Sequence, residues 1–264
     1  MSKKALAVIS FGTTYPEARR AIAQIENDLR AAFPDYDFYR AFTSGMVIRK
    51  IAREEGVTIP NPADLFAQLA ADGYEEVLCQ SLHVMPGLEY EKMLEQMAPW
   101  RTRFARFAVG KPMLYEAGDY RQICESLLNG LPALAADEAY AYMGHGTEHF
   151  ANATYSQVEN MFRFLGAERV YVGTVEGFPD LAYIEKRLAR HGVRRVTLAP
   201  FMIVAGDHAQ NDLAGPEEDS WKSILTAAGY DVTTDLRGLG DRDAVRSLFV
   251  SHCRAAQTGM ANQA

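Results

Sequence analysis

The chain alternates between two hydrophobic periods. Short apolar runs such as Ala5–Ile9 and Val170–Val172 are separated by longer stretches in which apolar positions recur at helical spacing. Short runs bounded by turn residues read as buried strands, and the stretches between them as amphipathic helices. The pattern predicts strands at 4–11, 37–42, 75–84, 104–109, 138–146, 168–177, 194–204 and 230–236. It predicts helices at 16–33, 43–56, 62–72, 88–99, 119–128, 149–165, 180–191, 219–229 and 241–256. Local signals agree with these bounds. Pro16 suits a first helical position, Thr43 or Ser44 and Asp219 or Ser220 are capping residues, and Gly56 closes its helix. Regular alternation of strand and helix implies parallel sheets with helices on both faces.

The pattern also repeats. "ALAVISFGTTY" from Ala5 resembles "AYAYMGHGTEH" from Ala139, each a strand followed by Gly-Thr. "EEVLCQSLHVMPGLEYEKM" resembles "RRVTLAPFMIVAGDHAQND" in the same order, which sets Phe11 opposite His145 and Glu89 nearly opposite His208. The expected architecture is α/β: two similar lobes, each a mainly parallel sheet flanked by helices, with a cleft between them. The expected bounds are 1–130 and 131–264, with the metal-ligand candidates in the second lobe and the last helix able to pack back on the first.

Composition narrows the function. Of 264 residues 48% are apolar and 23% charged, with a net charge of −7. An acidic chain is a poor general binder of nucleic acid, which needs clustered Lys and Arg. Cys79, Cys124 and Cys253 are far apart and form no CxxC, so they read as reduced thiols. The apolar run Ala5–Phe11 is too short for a signal peptide core, and no stretch approaches the about 20 apolar residues of a membrane span. A cytoplasmic protein with no membrane partner is expected, and the sequence leaves a homo-oligomer open.

In parallel α/β sheets ligands bind beyond the carboxyl ends of strands. The first predicted strand delivers Ser10, Phe11, Gly12 and Thr13 there, and the third delivers His83 followed by Glu89. In the second half three successive strands deliver His145, Glu176 and then Asp207-His208, spaced 31 and 32 residues apart. Two imidazoles and a carboxylate suit a divalent transition metal with open positions. Blander readings stand beside this one. His145 can end a strand on a carbonyl, Glu176 can cap a helix, and Asp207 can orient a ligand histidine. His149 begins a helix, while His191 and His252 read as helix-end and surface residues. Met202 lies in an apolar run that offers a flat ligand a surface or is ordinary buried strand. No GxGxxG, P-loop or HExxH is present.

"SFGTTYPEARRAI", "RAFTSGMVIRKI", "QSLHVMPGLEYEK", "MGHGTEH", "VEGFP" and "PFMIVAGDHAQND" together resemble the anaerobic cobalt chelatases of the CbiK type, class II tetrapyrrole chelatases. The resemblance runs from about Lys3 to His252. It implies insertion of Co²⁺ into sirohydrochlorin or precorrin-2, without ATP, in cobalamin biosynthesis. It implies no permanently bound cofactor, since the metal is a substrate. The implied metal ligands are His145, Glu176 and His208, with His145 also the proton acceptor. Ser10, Phe11, Gly12, Thr13, His83, Glu89 and Met202 are the candidate tetrapyrrole contacts, and Arg49, Lys50 and Arg53 the candidate partners for its carboxylates. The same donors would accept Fe²⁺ for sirohaem, and a non-catalytic tetrapyrrole or metal carrier is the alternative from another class.

Overall fold

The computed structural model describes residues 2–261; Met1 and residues 262–264, the outer ends of the two expected lobes, lie outside the described residues. The chain divides into two compact units. One takes the chain up to Tyr115 together with the segment from Arg242 onward, and the other is Glu116–Asp241.

The first unit holds a parallel sheet of β1 (Lys4–Ser10), β2 (Asp37–Phe42), β3 (Glu76–Ser81) and β4 (Arg106–Gly110), in the order β2-β1-β3-β4. The helices α1 (Pro16–Ala32), α2 (Gly45–Glu55), α3 (Pro62–Ala71) and α4 (Leu88–Met97) connect these strands. The second unit starts with α5 (Ala117–Asn129). Its sheet comprises β5 (Glu138–Gly146), β6 (Val170–Glu176), β7 (Arg195–Pro200) and β8 (Asp231–Thr234) in the order β6-β5-β7-β8, again all parallel. It carries α6 (Ala153–Phe164), α7 (Leu181–Arg190) and α8 (Trp221–Ala227), and α9 (Asp243–Ala261) belongs to the first unit.

The helix bounds follow local chemistry. The Ser44 hydroxyl accepts from Val47 N and caps α2, which Gly56 closes in the left-handed region. Asp180 and Ser220 cap α7 and α8 in the same way. On one face of the first sheet, Ala5, Ala7 and Ile9 of β1 pack with Leu65, Phe66 and Leu69 of α3 and Met93 and Met97 of α4. In the second unit Ala139, Ala141 and Met143 of β5 pack with Ile184 and Leu188 of α7 and Trp221 of α8. The period of two along each central strand thus divides its side chains between helices on opposite faces.

The sequence repeat is a repeat of structure. Leu82 N donates to Ile9 O at 2.8 Å in the first unit, and Phe201 N to Met143 O at 2.7 Å in the second. One residue on, Met113 N reaches His83 O at 2.9 Å, as Leu239 N reaches Met202 O at 2.8 Å. These bonds also explain why β3 and β7 end at Ser81 and Pro200, before the expected 84 and 204. Leu82 and Phe201 still bond the central strand, and from His83 and Met202 onward the carbonyls pair with the loops at Met113–Leu114 and Leu239–Gly240 instead of a strand.

His252, read from sequence as a surface residue, is buried, with Nδ1 3.2 Å from the Lys111 carbonyl. It sits on α9, whose Gln257 amide donates to the Tyr36 hydroxyl at 3.0 Å and whose Arg246 pairs with Asp28 of α1 at 2.8 Å. The terminal helix is therefore part of the first unit, with Val245, Leu248, Phe249 and Cys253 buried along it. Cys79, Cys124 and Cys253 are buried free thiols.

Candidate metal centre

The segment Gly144-His145-Gly146 needs both of its glycines. A Cβ on Gly144 would lie 2.1 Å from a ring carbon of Tyr155. Gly146 has φ +87°, and a Cβ there would lie 1.5 Å from the Glu176 carbonyl oxygen. No side chain fits at either position, and the second also demands the left-handed region that favours glycine. Residue 145 is thus presented at the end of β5, between the Tyr155 ring and the backbone of β6. Its side chain is exposed.

His145 Nδ1 lies 2.7 Å from the Gly146 carbonyl, and His208 Nδ1 lies 2.7 Å from Asp212 Oδ2. A carbonyl and a carboxylate only accept, so each neutral ring carries its proton on Nδ1 and keeps a lone pair on Nε2. The two rings stand 4.5 Å apart at 89°. Two imidazoles with open Nε2 atoms are a nitrogen pair suited to a borderline divalent metal.

Glu176 ends β6 in register with Gly146, and its side chain is exposed. Among the described residues no three His, Cys, Asp or Glu side chains are gathered as a metal-binding set. The histidine pair is assembled, and Glu176 stands on the neighbouring strand without closing on it.

Three residues that the sequence reading missed hold this arrangement. Asp212, rather than Asp207, orients His208; Asp207 accepts instead from the Asn211 amide at 3.0 Å. Asp212 follows His208 by four residues on the π-helical segment Ala209–Leu213, so that spacing was the available signal. Asn152 accepts from Thr147 N at 3.0 Å and donates to the Phe178 carbonyl, tying the loop after β5 to the loop after β6. Its partners lie five residues back and 26 ahead, so nothing local in the sequence announces it. Tyr155 accepts from Gly146 N at 3.4 Å beneath the same strand end. His149 caps a short helical turn by accepting from Ala151 N at 3.2 Å, and His191 bonds the Tyr171 hydroxyl at 2.6 Å.

The remaining candidates divide between the units. Met202 of the second unit packs, partly buried, against its core. Ser10, Phe11, Gly12, Thr13, His83 and Glu89 all belong to the first unit. Ser10 is buried at the end of β1 and its hydroxyl has no partner among the described residues, while Phe11 is 45% exposed. Gly12, at φ +89°, lies so close to the Phe42 ring that a Cβ would meet it at 2.4 Å. Thr13 is buried and its hydroxyl accepts from Tyr15 N at 3.2 Å. His83 is buried with Nδ1 2.8 Å from the Ser81 hydroxyl, and its Nε2 has no partner among the described residues. Burial pushes the His83 imidazole down to about 4, only partly offset by the charge of Glu89. Glu89 has one oxygen 3.5 Å from Lys92 and the other buried with no partner among the described residues.

Two parallel four-stranded units with a histidine pair at the carboxyl edge of one sheet define a chelatase-like α/β protein. The fold is similar to that of SirB from Bacillus subtilis, solved with Fe³⁺, at a TM-score of 0.68 and 12% identity, covering 99% of this chain and 98% of that one. It also resembles DR2241 from Deinococcus radiodurans, a multi-domain protein with structural similarity to chelatases, at a TM-score of 0.59 and 15% identity, over 96% of this chain and 55% of that one. The family model for the cobalt chelatase CbiK matches residues 4–258. The sirohydrochlorin cobaltochelatase of Salmonella typhimurium is 42% identical over 257 residues, 96% of each chain. The sirohydrochlorin cobaltochelatase CbiKC of Nitratidesulfovibrio vulgaris is 31% identical, over 98% of this chain and 93% of its own. The chain belongs to the CbiK cobalt chelatase family. Among the described residues no helix is long and apolar enough to cross a membrane.

Proposed function

We propose that the protein inserts Co²⁺ into sirohydrochlorin or precorrin-2, with the metal as substrate and no resident cofactor. The observation that carries this reading is the perpendicular His145–His208 pair with both Nε2 lone pairs free, in a chain whose full-length relatives are named for that reaction.

Insertion has three requirements. Water must leave the metal, two pyrrole N–H protons must be removed, and the metal must pass from protein donors to ring nitrogens. Two imidazoles strip part of the hydration shell while leaving positions for the incoming nitrogens. Glu176, swinging in from the end of β6, adds the negative charge that two neutral imidazoles lack. As the metal transfers, His145 Nε2 is released and takes one pyrrole proton; the second leaves to water, so M²⁺ replaces two H⁺ and charge balances. The Gly146 carbonyl keeps accepting from Nδ1–H throughout, so the ring holds its orientation as it becomes an imidazolium. The three buried free thiols suit a reducing compartment such as the cytoplasm.

The test is anaerobic absorbance spectroscopy of the protein with sirohydrochlorin and Co²⁺, then Fe²⁺, against no-protein controls. Multiple turnovers are expected, with His145→Ala slower by about 100-fold or more, and the relative rates rank the two metals. Stoichiometric retention of the metallated ring without turnover would favour the carrier instead.

A further inference from the structure

The three amides that follow Gly144 all turn to one helical segment. The Tyr155 hydroxyl accepts from Gly146 N at 3.4 Å, and the His145 amide acts on the same oxygen as a donor. Asn152, one turn earlier, accepts from Thr147 N at 3.0 Å. Side-chain acceptors therefore claim the N–H groups of residues 145, 146 and 147 and touch no carbonyl of that turn. The Gly146 carbonyl is left to accept from His145 Nδ1 at 2.7 Å, which keeps the Nε2 lone pair for the metal. That carbonyl shares a planar peptide group with Thr147 N, so Asn152 also fixes the direction in which it points.

The first unit supplies the contrast. Its Ile9 carbonyl accepts from Leu82 N as the Met143 carbonyl accepts from Phe201 N, so Ser10 stands for Gly144 and Phe11 for His145. The buried positions of α1 and α6 share one spacing, with Ala21, Ile22 and Glu26 matching Thr154, Tyr155 and Glu159. Ile22 thus stands for Tyr155, and Arg19 for Asn152. Isoleucine accepts no hydrogen bond, and arginine only donates. Arg19 Nε reaches the Thr13 carbonyl at 3.3 Å, a contact of the opposite polarity to that of Asn152. Gly144, where a Cβ would lie 2.1 Å from the Tyr155 ring, gives way to Ser10 where that ring gives way to Ile22. The unit without a histidine at this strand end thus lacks the glycine and both acceptors.

Resting on the proposed reaction, we infer that Tyr155 is a positioning residue for the metal, acting through the backbone at the end of β5. Its ring requires Gly144, and its hydroxyl gathers the His145 and Gly146 amides. With Asn152 it leaves the Gly146 carbonyl to hold the imidazole. Two donors grip one ion well only when both are held in place beforehand. Without the phenol oxygen the strand end gains freedom, and His145 is no longer fixed 4.5 Å from the His208 ring.

Three anaerobic measurements test this. Co²⁺ is titrated by calorimetry into the tetrapyrrole-free protein, the visible ligand-field bands of the bound ion are recorded, and steady-state insertion gives kcat and KM for sirohydrochlorin. Tyr155→Phe keeps the ring over Gly144 and removes only the hydroxyl. It is expected to bind Co²⁺ about five- to tenfold more weakly. The bands should shift and kcat should fall, with KM for sirohydrochlorin within about twofold of wild type. Gly144→Ser/Tyr155→Ile, which copies the first unit, should lose at least as much and stands in if Tyr155→Phe fails to fold by circular dichroism. Tyr120→Phe is the control, since it removes another buried hydroxyl bonded to α6, at Thr154. It should lower the melting temperature and leave Co²⁺ affinity and bands unchanged. Wild-type affinity, bands and kcat in Tyr155→Phe overturn the inference, as do equal losses in Tyr120→Phe. A wild type that binds Co²⁺ but inserts none overturns the proposed reaction instead, and the binding measurements still decide the role of Tyr155.

Discussion

His208 Nδ1 donates to the Asp212 carboxylate across 2.7 Å, one turn along a π-helical segment that begins at Ala209. Such segments are rare and recur at functional sites. The carboxylate fixes the tautomer and the orientation of the ring whose other nitrogen is left for the metal.

Replacing Asp212 by Asn removes that charge while keeping the size of the side chain. Co²⁺ affinity is expected to fall by about 10- to 100-fold, measured by calorimetric titration of the tetrapyrrole-free protein. Asp207→Asn, five residues upstream and bonded to Asn211, is the control and should leave the affinity nearly unchanged. Equal losses in both would show that bulk negative charge, and not the oriented imidazole, sets the affinity.

Asn152 makes one bond to the loop after β5 and one to the loop after β6. Asn152→Ala loses both, and a stability loss of about 1–2 kcal/mol is expected, together with a drop in turnover larger than the drop in melting temperature alone predicts. Asn152→Asp keeps the acceptor for Thr147 N and loses the donor to Phe178 O, so it should fall between. Full activity in the alanine variant would remove Asn152 from the positioning of His145 and Glu176.

His83 makes stability depend on pH. Its folded value is about 4, against an ordinary 6.5, because burial disfavours the imidazolium more than Glu89 favours it. Between those values the unfolded chain binds more protons than the folded one, so stability rises with pH across the window and is lost as pH falls towards 4. The shift corresponds to a loss on the order of 3 kcal/mol between pH 6.5 and 4. Urea denaturation at pH 4.5 and 7.5 reads it, and His83→Gln should shrink the difference between the two pH values. The Ser81 and Tyr90 contacts carry no titration in this range, which leaves Glu89 as the partner to check with Glu89→Gln. An undiminished pH dependence in His83→Gln would assign the effect to other groups.

Much of the fold was legible because its signals are local. Strand β5 was read at 138–146 and β2 at 37–42, the bounds observed. The apolar run of β5, between Glu138 and Gly144, needs no tertiary partner to be recognised. The errors fell where pairing stops. "SLHV" and "PFMIV" continue the apolar run past the last strand bond, since hydrophobicity reports burial and not which backbone receives the hydrogen bond.

By itself the sequence determined the alternation of strands and helices, their caps, the duplication, and the presence of His145 and Glu176 at strand ends. Each of these is set by residues near in the chain or by a repeated spacing. Only the tertiary structure decided that His145 and His208 meet as a perpendicular pair, that Asp212 rather than Asp207 fixes a tautomer, and that Asn152 joins two loops. It also decided that α9 buries His252 and that His83 is enclosed with no partner for Nε2 among the described residues. These depend on which loops folding brings within hydrogen-bond reach. At about 3 Å that reach is shorter than the rise of one strand residue, so a periodicity that places a residue on the right face still leaves its bonding partner undetermined.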